Sequence, residues 1–178
     1  MSVYAHIFYA HMHLSSLGRP MTAPPRPMTH LDCNCLALRQ AARHVTQFYD
    51  GHLAKAGLRI GQFGILAMLR RKGALSINAL AAELVLDRTT LGRNIQPLER
   101  DGLIVAKPSP TDRRSKELHL TPAGERRYEE GRDAWIEAQV RFEESVGEAK
   151  SEDMRRLLRS LTEGGIVVDA PIGEDASL

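Results

Sequence analysis

Two stretches of this 178-residue chain hold side chains suited to reading a nucleic acid. In the first, Thr89, Arg93, Gln96 and Arg100 recur at steps of three and four residues. If Leu91, Ile95 and Leu98 face inward on a helix starting at Arg88, the helical period puts the four polar residues on the opposite face. A guanidinium matches the O6 and N7 acceptors of guanine, and an amide matches N6 and N7 of adenine. Thr89 and Thr90 can bond a phosphate or pack on a thymine methyl. Arg88, Thr89, Thr90, Arg93 and Gln96 are thus candidate DNA-contacting residues, the alternative being an ordinary solvated face. The second stretch is Pro108–Lys116, with Asp112, Arg113 and Arg114 at its centre. One of these arginines is placed to enter a minor groove, where negative potential concentrates. Asp112 either pairs with an arginine and fixes its direction, or shapes the turn.

Cys33 and Cys35 are the only cysteines. On a helix, residues two apart point about 200° from each other, which disfavours a disulfide between them. Cys35 shares a helical face with Leu38 and Tyr49. It reads either as a reactive thiol or as a small buried hydrophobe. His30, Cys33, Cys35 and His44 are zinc-type ligands, but a helical C-x-C is a poor knuckle and no second cysteine pair exists. No metal or other cofactor is expected. Hydrolase, metalloprotease, phosphate-loop and C-x-x-C motifs are absent from the sequence.

These groups need a scaffold. A helical pattern starts near Leu31, with Asp32 as its expected N-cap, and runs to Gly57. A second helix ends before Gly73. Ser76 caps a short helix carrying Ile77, Leu80 and Leu84. The tight turn Val85–Asp87 leads into the Arg88 helix, which Pro97 should bend and Gly102 closes. Leu103–Lys107 and Glu117–Leu120 read as two strands of a hairpin. Thr121-Pro122 opens a long helix reaching about Ala149, with Tyr128, Trp135, Phe142 and Val146 on its apolar stripe. Ser151 is expected to cap a last helix bearing Leu157, Leu158 and Leu161.

Composition supports one ordinary globular domain: 43% of residues are hydrophobic and 26% charged. No apolar run is long enough to span a membrane, and Met1–His6 does not start like a secretory signal. A cytoplasmic protein is expected. Arg59–Lys116 holds eleven Lys and Arg against five Asp and Glu, and the remainder is net acidic. A basic middle suggests a polyanionic partner. Residues 1–30 are Pro- and His-rich without acids and read as a poorly ordered arm, with Met21 and Met28 as alternative starts. Residues 164–178 read as a loose tail.

The fold expected is mainly α with a small β-hairpin: a winged helix-turn-helix spanning 31–163. Its DNA-binding part is 59–120. The sequence resembles the MarR family of winged-helix regulators. The resemblance rests on Asp87-Arg88-Thr89-Thr90-Leu91, Leu98–Ile104, Asp112–Lys116 and Leu120-Thr121-Pro122-Ala123-Gly124. It implies a homodimer joined through helices in 31–56 and 121–163, which reads a pseudo-palindrome in double-stranded DNA. It also implies repression relieved by a small molecule, often an aromatic acid, or by thiol oxidation. Cys35 resembles the sensing cysteine of the family's organic-hydroperoxide branch, and Tyr49 a tyrosine that assists it. A second tyrosine of that branch is Arg39 here, which supplies a cation and removes a hydroxyl. The competing functions are a non-specific architectural DNA binder and a winged-helix module that binds protein.

Overall fold

The computed structural model describes residues 29–110 and 115–165. The expected N-terminal arm, the wing-tip residues Asp112, Arg113 and Arg114, and most of the C-terminal tail lie outside them. The chain divides between Gln40 and Ala41.

Up to Gln40, a 3-10 turn at His30–Asp32 leads into α1 (Asn34–Leu53). Asp32 is not the cap of α1, as its position had suggested. Its carboxylate accepts from the Thr29 N–H at 2.8 Å and closes the preceding turn. Cys33 takes the capping place instead. Its carbonyl accepts from Ala37 N–H (3.1 Å), and its sulfur lies 3.5 Å from the Leu36 nitrogen.

From Ala41 onward, α1 is followed by α2 (Ile60–Lys72), β1 (Leu75–Ser76), α3 (Ile77–Leu84), α4 (Arg88–Arg100), β2 (Ile104–Pro108), β3 (Lys116–Leu120), α5 (Pro122–Val146) and α6 (Glu148–Ser160). The sheet is antiparallel in the order β1-β3-β2. Leu75 pairs with Leu118, and Ile104 with Leu120. The third strand, β1, is two residues long and carries no periodic signal, so the expected hairpin gains a partner.

The core is continuous across these elements. Leu53, Ile65, Leu66, Leu80, Leu91 and Leu118 are fully enclosed. Tyr128 and Trp135 of α5 join it by stacking on Phe63 of α2, at 5.5 and 6.1 Å between centroids. Burying side chains of this size contributes about 1.5–3 kcal/mol each.

Three turns close in one way. After Leu53, Ala81 and Leu98, a residue with positive φ folds the chain back so that the N–H five positions on reaches the carbonyl. Gly57 and Gly102 supply that conformation without a Cβ penalty. The third turn uses Val85, at φ +51°.

The last two helices break earlier than expected. α5 ends at Val146, because Gly147 adopts φ +97°, and α6 starts at Glu148. The Gly147 N–H donates back to Glu143, and its carbonyl accepts from Ser151 N–H. Ser151 is therefore inside α6 rather than at its cap, and its hydroxyl is buried with no hydrogen-bond partner among the described residues. Leu157 and Leu158, expected to need burial, are exposed on α6.

Candidate nucleic-acid interface

Local signals build the reading helix. Ser76 Oγ accepts from Ala79 N–H at 3.1 Å and starts α3. Val85 and Leu86 turn the chain, and Asp87 starts α4. Asp87 Oδ1 accepts from Thr90 N–H (2.8 Å), and Oδ2 accepts from Thr90 Oγ1 (2.6 Å). The Thr90 hydroxyl, and after it the Thr90 N–H, hold the Asp87 carboxyl below the usual carboxylate range. The cap is therefore a carboxylate at neutral pH, favourably placed at the positive end of the helix.

Leu91, Ile95 and Leu98 are buried and hold α4 against the core. The helix continues through Pro97 to Arg100. Its other side presents Thr89, Arg93, Gln96 and Arg100 to solvent, as the period requires, with Arg88 exposed at its start. Arg88 and Arg93 form no ion pair among the described residues. Arg100 is held by its neighbour, Nε lying 3.1 Å from Asp101 Oδ1. The Thr90 hydroxyl is thus engaged with Asp87.

The wing is braced at its base. Ser109 N–H donates to the Ser115 carbonyl (3.0 Å), and Ser109 Oγ donates to Glu117 Oε1 (2.7 Å). Ser109 is itself buried, so this contact sits inside the hairpin. Thr121 then caps α5 by accepting from Gly124 N–H at 3.0 Å.

The chain belongs to the MarR family. The family's model matches residues 56–115, from the turn after α1 to the wing. The Mycobacterium tuberculosis transcriptional regulator MosR, solved in complex with DNA, is 32% identical, with a TM-score of 0.67 over 75% of this chain and 96% of that one. A putative transcriptional regulatory protein for the hcr operon of Thauera aromatica is 34% identical over 62% of this chain and 55% of its own length. An organic hydroperoxide resistance transcriptional regulator of Bacillus subtilis is 31% identical over 51% of this chain and 61% of its own. The chain thus spans a little over half the length of these curated relatives. The fold is the winged helix expected of a MarR-family chain, and the relatives are transcription regulators.

The sensing candidates of this MarR-family chain all lie on α1. Cys35 and Arg39 are exposed on the first part of α1, and both cysteines are free thiols. Tyr49 is buried, and its hydroxyl donates to Gln139 Oε1 at 2.7 Å. Gln139 and Arg155 both donate to Glu143 Oε1, continuing the chain of bonds into α6. Burial, and then the Glu143 charge, push the Tyr49 hydroxyl above its ordinary pKa, while Arg155 opposes them. Tyr49 is a neutral donor already in use. Among the described residues no three His, Cys, Asp or Glu side chains converge as metal ligands. No helix there is long and apolar enough to cross a membrane.

Two cavities bear on ligand binding. One of about 570 Å³ is lined by Gly64, Ala67, Met68, Arg70, Arg71, Leu84 and Tyr128, with Arg70 ion-paired to Glu125 and Glu129. His44 lines a smaller apolar groove of about 220 Å³, with Val45, Phe48 and Phe142.

Proposed function

We propose that this chain is a dimeric, sequence-specific DNA-binding transcription regulator, a repressor acting in the cytoplasm. The observation that carries the reading is the outer face of α4. Thr89, Arg93 and Gln96 stand exposed on a helix fixed by a buried apolar rail, and among the described residues Arg93 has no acidic partner to withhold it from DNA. Arg88 and the wing residues Arg113 and Arg114 add phosphate or minor-groove contacts, with Asp112 pairing with an arginine to fix its direction. The 32% identity to a regulator solved with DNA supports the same use. A second copy is supported by the apolar side chains Ile136, Val140, Leu157 and Leu158, which one chain leaves exposed.

Two input signals fit. The cavity beside Met68, Leu84, Tyr128 and Arg71 combines apolar walls with a cation and suits a small aromatic acid. The exposed Cys35 thiol, and the likeness to a regulator named for organic hydroperoxide resistance, favour oxidation as the second.

The test is a binding titration on DNA flanking the protein's own gene. It uses reduced protein, protein treated with an organic hydroperoxide, and Cys35→Ser. Tight binding lost only in oxidised wild type assigns the switch to Cys35. Tight binding indifferent to peroxide leaves the ligand route. Equal binding to random DNA would instead indicate an architectural binder, and no DNA binding a protein-interaction module.

A further inference from the structure

A second recess, of about 380 Å³, lies where three elements of the winged helix meet. Its walls are Ser76 at the β1–α3 junction, Ile77 and Asn78 of α3, Arg88 at the start of α4, and Ser115 and Lys116 at the base of the wing. The two cations come from different elements, and neither forms an ion pair among the described residues. Among the described residues the walls include no carboxylate, although Glu117 and Asp87 are sequence neighbours of Lys116 and Arg88. Glu117 accepts from Ser109, and both oxygens of Asp87 accept from Thr90. These two acids are thus occupied, while among the described residues the guanidinium, ammonium and amide have no such partner.

We propose that this recess holds one phosphodiester of the DNA duplex, gripped jointly by Arg88 and Lys116 with Asn78 donating from the third side. The inference rests on the DNA-binding reading and adds Asn78 and Lys116 to its contacts. A cavity lined by two unpaired cations and an amide, with no acid, suits a singly charged oxyanion. A duplex engaged by α4 and the wing presents phosphates to both elements at once. One phosphate shared between Arg88 and Lys116 ties the wing to the recognition helix. Hairpin and helix are then placed on the duplex as a unit.

The experiment is a salt titration of cognate binding for wild type, Arg88→Gln, Lys116→Gln and the double variant. Lys150→Gln, on α6, serves as the charge control. Each single variant is expected to weaken binding about three- to tenfold at fixed salt and to lower the salt slope by about 0.9. The double variant is expected to lose less than the product of the two, because both cations serve one phosphate. A scan of neutral methylphosphonate substitutions should find one position that weakens wild type but not Lys116→Gln. Fully multiplicative losses, or different sensitive phosphates for the two residues, would overturn the shared grip. Inorganic phosphate at matched ionic strength should compete no better than chloride. Specific competition by phosphate, lost in Lys116→Gln, would assign the recess to a free oxyanion and overturn the proposal. Wild type that binds no DNA would sink the DNA-binding reading itself, an outcome distinct from intact binding with a silent Lys116.

Discussion

A Cβ on Gly124 would lie 2.0 Å from the Leu103 carbonyl oxygen. That oxygen is not free to move: it accepts from the Thr121 N–H and from Thr121 Oγ1, both at 3.1 Å. The contact joins the turn after α4 to the start of α5 and gives the glycine of Leu120–Gly124 a physical reason. Gly124→Ala is therefore expected to destabilise the fold by about 3 kcal/mol or more, above the usual cost of overpacking, since backbone must yield. Gly131→Ala meets side-chain rather than backbone atoms, of Leu58 and Phe63, at 2.9 and 3.0 Å. It should cost about 1–3 kcal/mol. Urea denaturation of the two variants would separate them, and an equal loss would contradict the backbone argument.

Val85 occupies the left-handed region while its side chain is 72% exposed. A β-branched residue is disfavoured there, and so little burial offsets little of the strain. Val85→Gly should raise stability by about 1 kcal/mol without altering the Ala81–Leu86 bond that closes the turn. A higher urea midpoint at unchanged slope is the expected result. A lower midpoint would mean that the Val85 side chain supports the fold.

How much of this was legible depends on how local each signal is. Ser76, Asp87 and Thr121 announce helix starts through their own side chains, and Gly57, Gly73 and Gly102 announce stops. Leu91, Ile95 and Leu98 announce the inner face of α4, and hence the outer face that carries the candidate contacts. Three features escaped because their causes lie elsewhere in the fold. β1 is too short to show alternation and exists by pairing with β3. Val85 takes a glycine-like conformation that no residue type signalled. Ser151 has the identity of a cap, yet Gly147 breaks the helix four residues earlier and leaves the serine inside the next one. In the site, the period could place Thr90 on α4 but could not show that Asp87 already holds its hydroxyl.

The Asp87 cap should make the stability of α4 depend on acid. Its carboxyl titrates below the usual range when folded, because Thr90 bonds the ionised form. A depressed folded pKa gives a stabilising contribution that is complete above the unfolded value and lost as pH falls through the folded one. Thermal unfolding from pH 7 down to strong acid should show that loss in wild type, and a flatter profile in Asp87→Asn. Asn still caps a helix but does not ionise there. Parallel profiles for the two proteins would remove Asp87 from the acid response.

Arg93 offers the sharpest division between reading and holding. It sits at the centre of the exposed face of α4, with no acid bound to it among the described residues, whereas Arg100 on the same face is tied to Asp101. A guanidinium so placed can present two donors to guanine, a contact that only the right base pair repays. Arg93→Ala should therefore cost about 1–3 kcal/mol on the cognate site and little on random DNA, relaxing preference at one base pair. Arg100→Ala should change both affinities slightly, because its charge is shared with Asp101. Titrations of both variants on cognate, single-base-altered and random duplexes decide the matter. Equal losses for Arg93→Ala on all three duplexes would make Arg93 a phosphate contact and move base reading to Thr89 and Gln96.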